Sequence, residues 1–212
     1  MQERFGKDKF DILPDTYNLP DEFADFYSHF HQLRQKQESQ AKGSSLDQTT
    51  PQVNHNQWII KPTNSSQGKG IFIIDEISEV PIDEPCIVSR YVTNPLLING
   101  LKFDVRIYVL VTSMDPWRIY IYNEGLARFA SEDYNPVNIK SNKFAHLTNY
   151  SINKKSEKFV QNVNADQGDE GHKWSLTALS KHLEQMGVDN DLLWSKIYDV
   201  ILKSLIAVDG SV

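Results

Sequence analysis

Cysteine, long apolar stretches and excess positive charge are all scarce in this sequence. Its 212 residues contain one cysteine, Cys86, which excludes an internal disulfide and a zinc site built from several cysteines. A single free thiol suits a reducing cytosolic or ciliary compartment. No run of eighteen apolar residues occurs, so no membrane-spanning helix is predicted, and the N-terminus MQERFGKDKF lacks the apolar segment of a secretory signal. The net charge of −6 argues against a general nucleic-acid binder.

The composition is that of an ordinary globular protein, with 40% apolar and 24% charged residues. The length allows one large domain or two small lobes. Positive charge is concentrated in the segment from Lys140 to Lys158. This segment contains a single acid, Glu157, and five lysines: Lys140, Lys143, Lys154, Lys155 and Lys158. This segment is either a solvated charged loop or a docking strip for an acidic polypeptide, and composition is compatible with both.

The N-terminal part contains one helical pattern and one polar stretch. Residues 20–37 have aromatic and leucine side chains at helical spacing, which predicts an amphipathic helix. The stretch 35–57 is rich in Gln, Ser and Asn and has almost nothing to bury. It is therefore predicted to be a mobile surface insertion.

The patterns after this stretch predict an α+β fold. Short apolar runs bounded by turn residues predict strands at 58–60, 71–74 and 87–90. Alternation predicts one long strand at 102–111, followed by a hairpin turn at 114–116, a returning strand at 119–122 and a third strand at 126–130. Helical stripes then begin near Leu176 and Trp194, the first closed by Gly187. The order of elements predicts a mainly antiparallel sheet with flanking helices.

The segment Lys61–Gly70, KPTNSSQGKG, lies between two predicted strands. Its two glycines would let backbone N–H groups approach a polyphosphate, and Lys61 and Lys69 would neutralise its charge. The order of lysine and glycine is wrong for a Walker A loop. The segment is therefore either a flexible loop that covers phosphates or an exposed polar hairpin turn.

Two further polar groups follow along the chain. Alternation puts Lys102, Asp104 and Arg106 on one strand face, which is either solvent-exposed or suited to hold a ribose hydroxyl and a phosphate together. The run His146–Asn153, HLTNYSIN, is dense in hydrogen-bonding side chains, for which an Asn- and Ser-rich turn is the common explanation. From the residues alone, the prediction is a nucleotide site of a non-Walker type.

Several motifs resemble those of the tubulin tyrosine ligase-like proteins in both order and spacing. They are WIIKP, SSQGKGIFII, SRYVTNPLLI, KFDVRIYVLVTS, GLARFA and HLTNYSINK. The segment FGKDKFDILPDTYNLPDEF resembles the sequence just upstream of that core. The resemblance extends from about Phe5 to Ala207, interrupted by the Gln-rich stretch, and is closest to the glutamate-adding branch of the family.

The resemblance implies an ATP-grasp fold, in which two α+β lobes hold ATP between them. It implies that residues 1–34 end the N-terminal lobe, 35–57 are an insertion, 58–98 form the central lobe and 99–212 begin the C-terminal lobe. It also implies that the chain is a fragment, truncated at both ends and incomplete at the C-terminus of the fold. The Asp, Glu and Asn that bind Mg²⁺ in the family are expected beyond Val212, so no metal ligand is predicted within this chain.

The resemblance further implies roles for individual residues. Lys61 and Arg106 are expected to be catalytic, Lys61 at the ATP phosphates and Arg106 at the phosphate that is transferred. The other residues implied to bind ATP are Gln67, Gly68, Ser89, Arg90, Tyr91, Val92, Lys102, Phe103, Asp104, Thr148 and Asn149. Those implied to hold free L-glutamate are Arg128, Tyr150, Ser151 and Lys173. Many glutamate-adding relatives have Arg where this chain has Gln67, which argues against a cation that grips the acceptor chain there.

The implied reaction uses ATP to convert an acceptor γ-carboxylate into an acylphosphate, which the amine of free glutamate attacks to form an isopeptide bond. The implied cofactors are ATP and Mg²⁺. The implied partners are the acidic C-terminal tails of tubulin on microtubules, in the cytoplasm or in a cilium, axoneme or basal body. The alternatives are a truncated, non-catalytic remnant that binds microtubules or nucleotide, ligation of glycine, and modification of non-tubulin proteins.

Overall fold

The computed structural model describes residue 1 and residues 5–43, 54–66, 68–137, 139–162 and 170–209. Within this part the chain forms two compact units. Unit 1 comprises Met1–Leu13, Val105–Ala127 and Gln161–Val212, and unit 2 comprises Pro14–Asp104 and Arg128–Val160. Residues of the predicted C-terminal lobe, 99–212, therefore belong to both units.

Unit 2 contains a four-stranded sheet. Its strands are β1 (Thr16–Leu19), β2 (Trp58–Pro62), β3 (Phe72–Ile74) and β4 (Cys86–Arg90), in the order β1-β4-β2-β3. All three pairings between these strands are antiparallel. Strands β2, β3 and β4 confirm the predicted apolar runs, whereas β1 was not predicted. Strand β1 is only four residues long, so alternation is too brief to stand out.

The core of unit 2 lies between this sheet and helix α1 (Phe23–Gly43). Phe26 and Phe30 of the helix are fully buried in the same cluster as Trp58 and Ile60 of β2. The rings of Phe26 and Trp58 meet edge to face, with centroids 5.0 Å apart. Removal of these large side chains from water is the main hydrophobic contribution that holds α1 on the sheet.

The predicted end of α1 at residue 37 is wrong, because the helix continues to Gly43. Residues 35–43 of the predicted insertion are therefore helical. Gln, Lys, Glu and Ala bury little, but they extend a helix at low cost once its first turns are anchored by a buried face. Arg34 and Glu38 support this extension with an i,i+4 ion pair at 3.4 Å. Residues 44–53 lie outside the described part of the chain.

The remaining strands form a second sheet and a separate hairpin. They are β5 (Leu97–Ile98), β6 (Leu101–Arg106), β7 (Val109–Met114), β8 (Trp117–Ile121), β9 (Leu126–Phe129) and β10 (Lys173–Ser175). The sheet has the order β10-β9-β6-β5, and β7 and β8 form the antiparallel hairpin. The hairpin and β9 confirm the predictions. The prediction of a single strand over 102–111 is wrong. Strand β6 pairs within the sheet and β7 pairs with β8, so the extended segment is interrupted between Arg106 and Val109, where the pairing partner changes.

A 3₁₀ turn spans Ile77–Glu79. The other α-helices of the described residues are two single turns and two longer elements. They are α2 (Lys143–His146) and α3 (Tyr150–Asn153) in unit 2, and α4 (Leu176–Gln185) and α5 (Asn190–Val208) in unit 1. The Ser175 side chain caps α4 and the Asp189 side chain caps α5, each by accepting a backbone N–H bond. Gly187, with φ 82°, follows α4 as predicted. None of the described helices is long and apolar enough to cross a membrane.

Candidate functional site

Most of the predicted site residues lie in unit 2. These are Lys61, Gly68, Ser89, Arg90, Tyr91, Val92, Lys102, Phe103, Asp104, Arg128, Thr148, Asn149, Tyr150 and Ser151. Arg106 and Lys173 belong to unit 1, and Gln67 lies outside the described residues. Strand β6 thus contributes predicted ATP residues to both units.

The ammonium group of Lys102, on β6, is held by oxygen atoms of two neighbours. Its Nζ donates to the Tyr91 hydroxyl and to the His146 carbonyl, both at 2.9 Å, and lies 4.4 Å from the centre of the Tyr91 ring. Burial lowers the pKa of Lys102 to about 8; the charge of Asp104 opposes this shift and the charge of Lys61 adds to it. Within the described ranges, no carboxylate contacts the Lys102 ammonium directly.

The groups that hold Lys102 are themselves buried. Tyr91 and His146 are 6% and 1% exposed, and the Tyr91 hydroxyl lies 3.1 Å from His146 Nδ1. Burial raises the pKa of Tyr91, while burial and the Lys102 charge lower the pKa of His146 to about 4, so both side chains are neutral near pH 7. The ring of Tyr134 packs edge-on against His146, with centroids 4.8 Å apart. These rings exclude water from one side of Lys102, so its charge is less screened than at an exposed site.

Lys61 is the second cation of this region. It lies on β2, in register with Ile87 of β4, and is exposed. Its side chain forms no hydrogen bond or ion pair with the residues that the structure describes. Its charge lowers the pKa of Lys102, so the two ammonium groups repel each other. Two like charges that repel each other favour a bound anion, and this pair suits a polyphosphate.

The loop between β2 and β3 approaches the polar run 146–153 at Gly68. Gly68 has φ 79°, in the left-handed region that favours glycine. A β-carbon at this position would lie 3.0 Å from Cγ of Asn149 and 3.0 Å from Cδ1 of Ile152, which is closer than ordinary contact. The structure therefore brings together two predicted ATP residues, Gly68 and Asn149, from distant parts of the chain.

The polar run itself joins two short helices. Helix α2 is capped by Asn142, whose side chain accepts from the Phe144 N–H at 3.0 Å, and it ends at His146. Thr148 and Asn149 then precede α3, and the Asn149 side chain makes no cap bond to that helix. Thr148 and Asn149 are half-buried. The Asn149 side chain thus faces the Gly68 loop without serving as a helix cap.

Tyr150 and Ser151, predicted to hold glutamate, begin α3. Tyr150 is exposed, its ring meets Phe159 edge-on at 5.7 Å between centroids, and Lys154 Nζ lies 5.5 Å from its centre. Ser151 is half-buried. Their roles towards glutamate stay predictions.

The segment Ser89–Val92, which the resemblance implies to bind ATP, has most of its backbone occupied by sheet hydrogen bonds. Ser89 pairs with Ile59 of β2. The N–H groups of Arg90 and Tyr91 donate to the carbonyls of Asp15 and Gln57, both at 2.8 Å. Val92, which is exposed, has no backbone hydrogen bond to the described residues. The backbone N–H available for a ligand in this segment is therefore that of Val92.

Asp104 and Arg128 form a two-point ion pair. Arg128 Nε donates to Asp104 Oδ1 at 3.0 Å, and Nη2 donates to Oδ2. Both side chains are partly buried, and the parallel hydrogen bonds fix the plane of the guanidinium. The sequence assigned these residues to different ligands, Asp104 to ATP and Arg128 to glutamate, and did not anticipate their contact. Phe103, which lies between Lys102 and Asp104 on β6, packs against Phe129 with ring centroids 5.4 Å apart.

Arg106 and Lys173, in unit 1, are both exposed, and their roles stay predictions. Within the described part of unit 1, neither side chain forms an ion pair. The Arg106 carbonyl lies so close to Gly125 that a β-carbon there would collide with it. The Lys173 carbonyl accepts from Asn162 Nδ2 at 3.3 Å, which fixes the backbone of β10.

Two of the five lysines between 140 and 158 are in ion pairs. Lys140 binds the carboxylates of Asp75 and Glu79, and Lys158 lies 3.6 Å from Glu132. The other three are exposed and form no ion pair with a described residue: Lys143, Lys154 and Lys155. The docking-strip hypothesis is thus limited to these three lysines.

Three residues of this arrangement were not assigned from the sequence: Tyr134, His146 and Asn153. His146 and Asn153 are the first and last residues of the polar run. The density of hydrogen-bonding side chains in this run was noted in the sequence, but it did not indicate a role for either residue. Tyr134 carried no local signal, because its hydroxyl reaches the Thr93 carbonyl, at 2.7 Å, only in the folded chain.

Comparison with known proteins decides the family. The sequence profile of the tubulin-tyrosine ligase family matches residues 1–212. This chain belongs to the tubulin-tyrosine ligase family. The predicted resemblance is confirmed, and the α+β structure with mostly antiparallel strands is consistent with the ATP-grasp-like fold expected for this family.

Several relatives in the tubulin-tyrosine ligase family are named as enzymes that modify tubulin. The chain is 43% identical over 208 residues to the tubulin monoglutamylase TTLL4 of Mus musculus, covering 98% of this chain and 16% of that protein. It is 42% identical over 211 residues to the tubulin polyglutamylase TTLL5 of Mus musculus, covering 99% and 14%. It is 44% identical over 210 residues to the tubulin polyglutamylase ttll-5 of Caenorhabditis elegans, covering 98% and 28%. The chain therefore spans less than a third of the length of these relatives.

The residues present fit one of the two cofactors that the family implies. Lys61 and Lys102 supply unneutralised positive charge, and Gly68 lets a backbone loop lie close to Asn149, which together suit the phosphates of ATP. For Mg²⁺, no group of three or more His, Cys, Asp or Glu side chains suited to hold a metal occurs in the described ranges.

Proposed function

We propose that this chain is the nucleotide-binding part of an ATP-dependent ligase that joins free glutamate to glutamate side chains in the acidic tails of tubulin. The observation that carries the proposal is the match of 98–99% of the chain, at 42–44% identity, to proteins named as tubulin mono- and polyglutamylases. The cationic pair formed by Lys61 and Lys102 supports it, because a carboxylate must be activated by a phosphoryl group before an amine can displace its oxygen.

The chemistry that ATP supplies is the transfer of its terminal phosphoryl group to the acceptor γ-carboxylate, with ADP as the leaving group. The glutamate amine then forms a bond to the activated carbonyl carbon, the carbon–oxygen bond to phosphate breaks, and the amine loses a proton to solvent. In the proposed site Lys61 and Lys102 bind the phosphates and balance their charge. Arg106 is proposed to face the transferred phosphate. Val92 is proposed to hold adenine through its free backbone N–H.

The two amino-acid substrates would be bound by charge as well as by shape. Arg128 and Lys173 are proposed to pair with carboxylates of the free glutamate, assisted by Tyr150 and Ser151. The three lysines outside ion pairs, Lys143, Lys154 and Lys155, are proposed to attract the acidic tubulin tail, an interaction that salt would weaken. The proposed place of action is the cytoplasm, at microtubules, including those of cilia, axonemes and basal bodies.

The test is incorporation of radiolabelled glutamate into microtubules by the full-length gene product with ATP. We expect ATP-dependent label in tubulin, and we expect Lys61→Ala to reduce the rate by at least about tenfold, because a charge-assisted contact with phosphate is lost. Lys36→Ala is the matched control, since Lys36 is an exposed lysine on α1 in the same unit. It should leave the rate unchanged.

Three results would contradict the proposal. Equal incorporation of labelled glycine would overturn the choice of donor. Label that enters other proteins but not tubulin would overturn the choice of acceptor. Binding of ATP or microtubules without any incorporation would favour the non-catalytic alternative.

A further inference from the structure

Asn153, at the end of α3, is buried and fully hydrogen-bonded. Its side chain is 1% exposed. Its Oδ1 accepts from the N–H and the hydroxyl of Ser131, at 2.9 and 2.8 Å. Its Nδ2 donates to the carbonyls of Leu147 and Asn149, at 2.6 and 3.1 Å. One amide group therefore joins two separate stretches of backbone, and neither a carboxylate nor a hydroxyl could supply both the donors and the acceptor.

The first stretch, at Ser131, is adjacent to a residue that is hydrogen-bonded to the backbone of Lys102. Ser131 follows β9, and the N–H of the preceding residue, Ala130, donates to the Lys102 carbonyl at 2.8 Å. Ser131 itself is 3% exposed. The anchor of Asn153 on this side is therefore the end of a strand that is hydrogen-bonded to β6, the strand that carries Lys102.

The second stretch carries two groups of the candidate nucleotide site. The Leu147 carbonyl directly follows His146, whose own carbonyl accepts from Lys102 Nζ. The Asn149 carbonyl belongs to the residue whose side chain lies against Gly68. Asn153 thus holds the backbone on both sides of Thr148. On one side lies His146, which contacts Lys102, and on the other lies Asn149, which contacts the Gly68 loop.

The short helix that carries Asn153 does not fix this segment by itself. Helix α3 has only four residues, and so short a helix has little stability of its own. The Asn149 side chain makes no cap bond to it. The side-chain amide of Asn153 connects residues 147–149 to the end of β9, in addition to the backbone bonds from the Ser131 and Glu132 N–H groups to the Phe144 carbonyl.

We infer that Asn153 is a positioning residue of the nucleotide site, which sets the His146 carbonyl against Lys102 and Asn149 against the Gly68 loop. The inference depends on the proposed function, because it assumes that ATP binds at Lys102 and Gly68. It goes beyond that proposal by giving a role to a buried side chain that would not contact the nucleotide.

The test compares Asn153→Ala with Asn56→Ala. Asn56 is a matched control because it is also a buried asparagine of unit 2, at 4% exposure, and its amide likewise bridges two groups. Its Nδ2 donates to the Phe30 carbonyl at 3.1 Å, and its Oδ1 accepts from Trp58 Nε1 at 2.9 Å. These partners belong to the α1–β2 core, so Asn56→Ala should lower the melting temperature without changing ATP affinity.

We expect Asn153→Ala to weaken ATP binding by about tenfold or more when affinity is measured by calorimetry well below the melting temperature. We also expect a change that a purely structural role would not cause. When the His146 carbonyl moves away, Lys102 regains water, so the pH midpoint for loss of ATP affinity should move upward from about 8. Asn56→Ala should keep the wild-type midpoint.

Each outcome has a distinct meaning. If the wild-type chain does not bind ATP, the proposed function fails. If the wild type binds ATP and Asn153→Ala matches Asn56→Ala in affinity and midpoint, the positioning role of Asn153 is refuted. If Asn153→Ala does not fold, Ser131→Ala replaces it, because that change removes one of the four bonds and leaves the Ser131 N–H. A two- to fivefold loss of affinity, roughly the effect of one hydrogen bond, is then expected, and an unchanged affinity refutes the inference.

Discussion

At Lys102, folding replaces the water around an ammonium group with a hydroxyl, a carbonyl and an aromatic ring. The hydroxyl and the carbonyl accept two of the three N–H bonds of the group, but no carboxylate in the described structure binds its charge directly. Such a site is costly for the charged form when it is empty and favourable when a polyphosphate arrives, because the anion restores the missing charge. The lowered pKa of Lys102 is the physical signature of this condition.

ATP affinity is therefore predicted to fall as the pH rises through about 8. Only protonated Lys102 attracts phosphate, and with a pKa of about 8 its protonated fraction drops from about nine-tenths at pH 7 to about one-tenth at pH 9. Affinity measured by calorimetry should thus fall by about tenfold over this range.

The Lys61→Ala variant provides the internal check on this pH dependence. The charge of Lys61 lowers the pKa of Lys102, so its removal should move the midpoint to higher pH while weakening affinity at pH 7. Lys36→Ala, on α1, should change neither quantity. An ATP affinity in the wild type that is the same at pH 7 and pH 9 would show that Lys102 does not bind the phosphates.

At the scale of elements, the loop between β2 and β3 depends on a glycine for two separate reasons. Gly68 needs a left-handed backbone, and it needs the absence of a β-carbon beside Asn149 and Ile152. Gly187, after α4, shares the first requirement, with φ 82°, but a β-carbon added there would meet nothing within 4 Å. A comparison of substitutions at the two glycines therefore distinguishes the effect of backbone strain from the effect of a close neighbouring side chain.

We predict that Gly68→Ala weakens ATP binding and that Gly187→Ala does not. Both substitutions should cost about 1 kcal/mol of stability, because each forces alanine into a left-handed conformation. Only Gly68→Ala should also push the loop away from Asn149. The measurements are ATP affinity by calorimetry and melting temperature. Equal ATP affinity in the two variants would contradict the proposed contact between the loop and the polar run.

At the scale of the whole molecule, α5 leaves much apolar surface uncovered. Its 19 residues include none that is buried within the described structure. The large apolar side chains exposed on it are Leu192, Tyr198, Val200, Leu202, Ile206 and Val208. Apolar area of this kind on one helix favours association in water.

Chain 1–212 is accordingly predicted to self-associate with increasing concentration. Leu202→Glu combined with Ile206→Lys should reduce this association at unchanged net charge, because it interrupts the apolar surface with two charges of opposite sign. Ser195→Lys with Lys196→Ser, on exposed positions of the same helix, is the polar control; it also leaves the net charge unchanged and should have no such effect. Sedimentation velocity over a range of concentrations measures the outcome. A monomeric wild-type chain at all concentrations would contradict the prediction.

The sequence by itself determined the elements with a sustained local pattern. The hairpin at 109–121 and helix α4 were predicted because alternation or helical spacing continues over several residues and a turn residue marks the end. Motifs in one order also identified the family. Local patterns did not predict the interruption between β6 and β7, because it occurs where the pairing strand changes. They also predicted α1 too short, because the polar helix-forming residues at its end bury little and leave no apolar spacing to detect.

Only the tertiary structure decided which polar groups meet. Lys102, Tyr91 and His146 come from three separate parts of the chain, and so do Gly68 and Asn149 or Asp104 and Arg128. A motif shows that polar residues are present, but not whether a carbonyl, a carboxylate or an aromatic ring will lie beside them. The pKa of Lys102 and the role inferred for Asn153 both arise from burial and from hydrogen bonds between residues distant in sequence, which exist only when β6, β9 and the segment 146–153 have packed together.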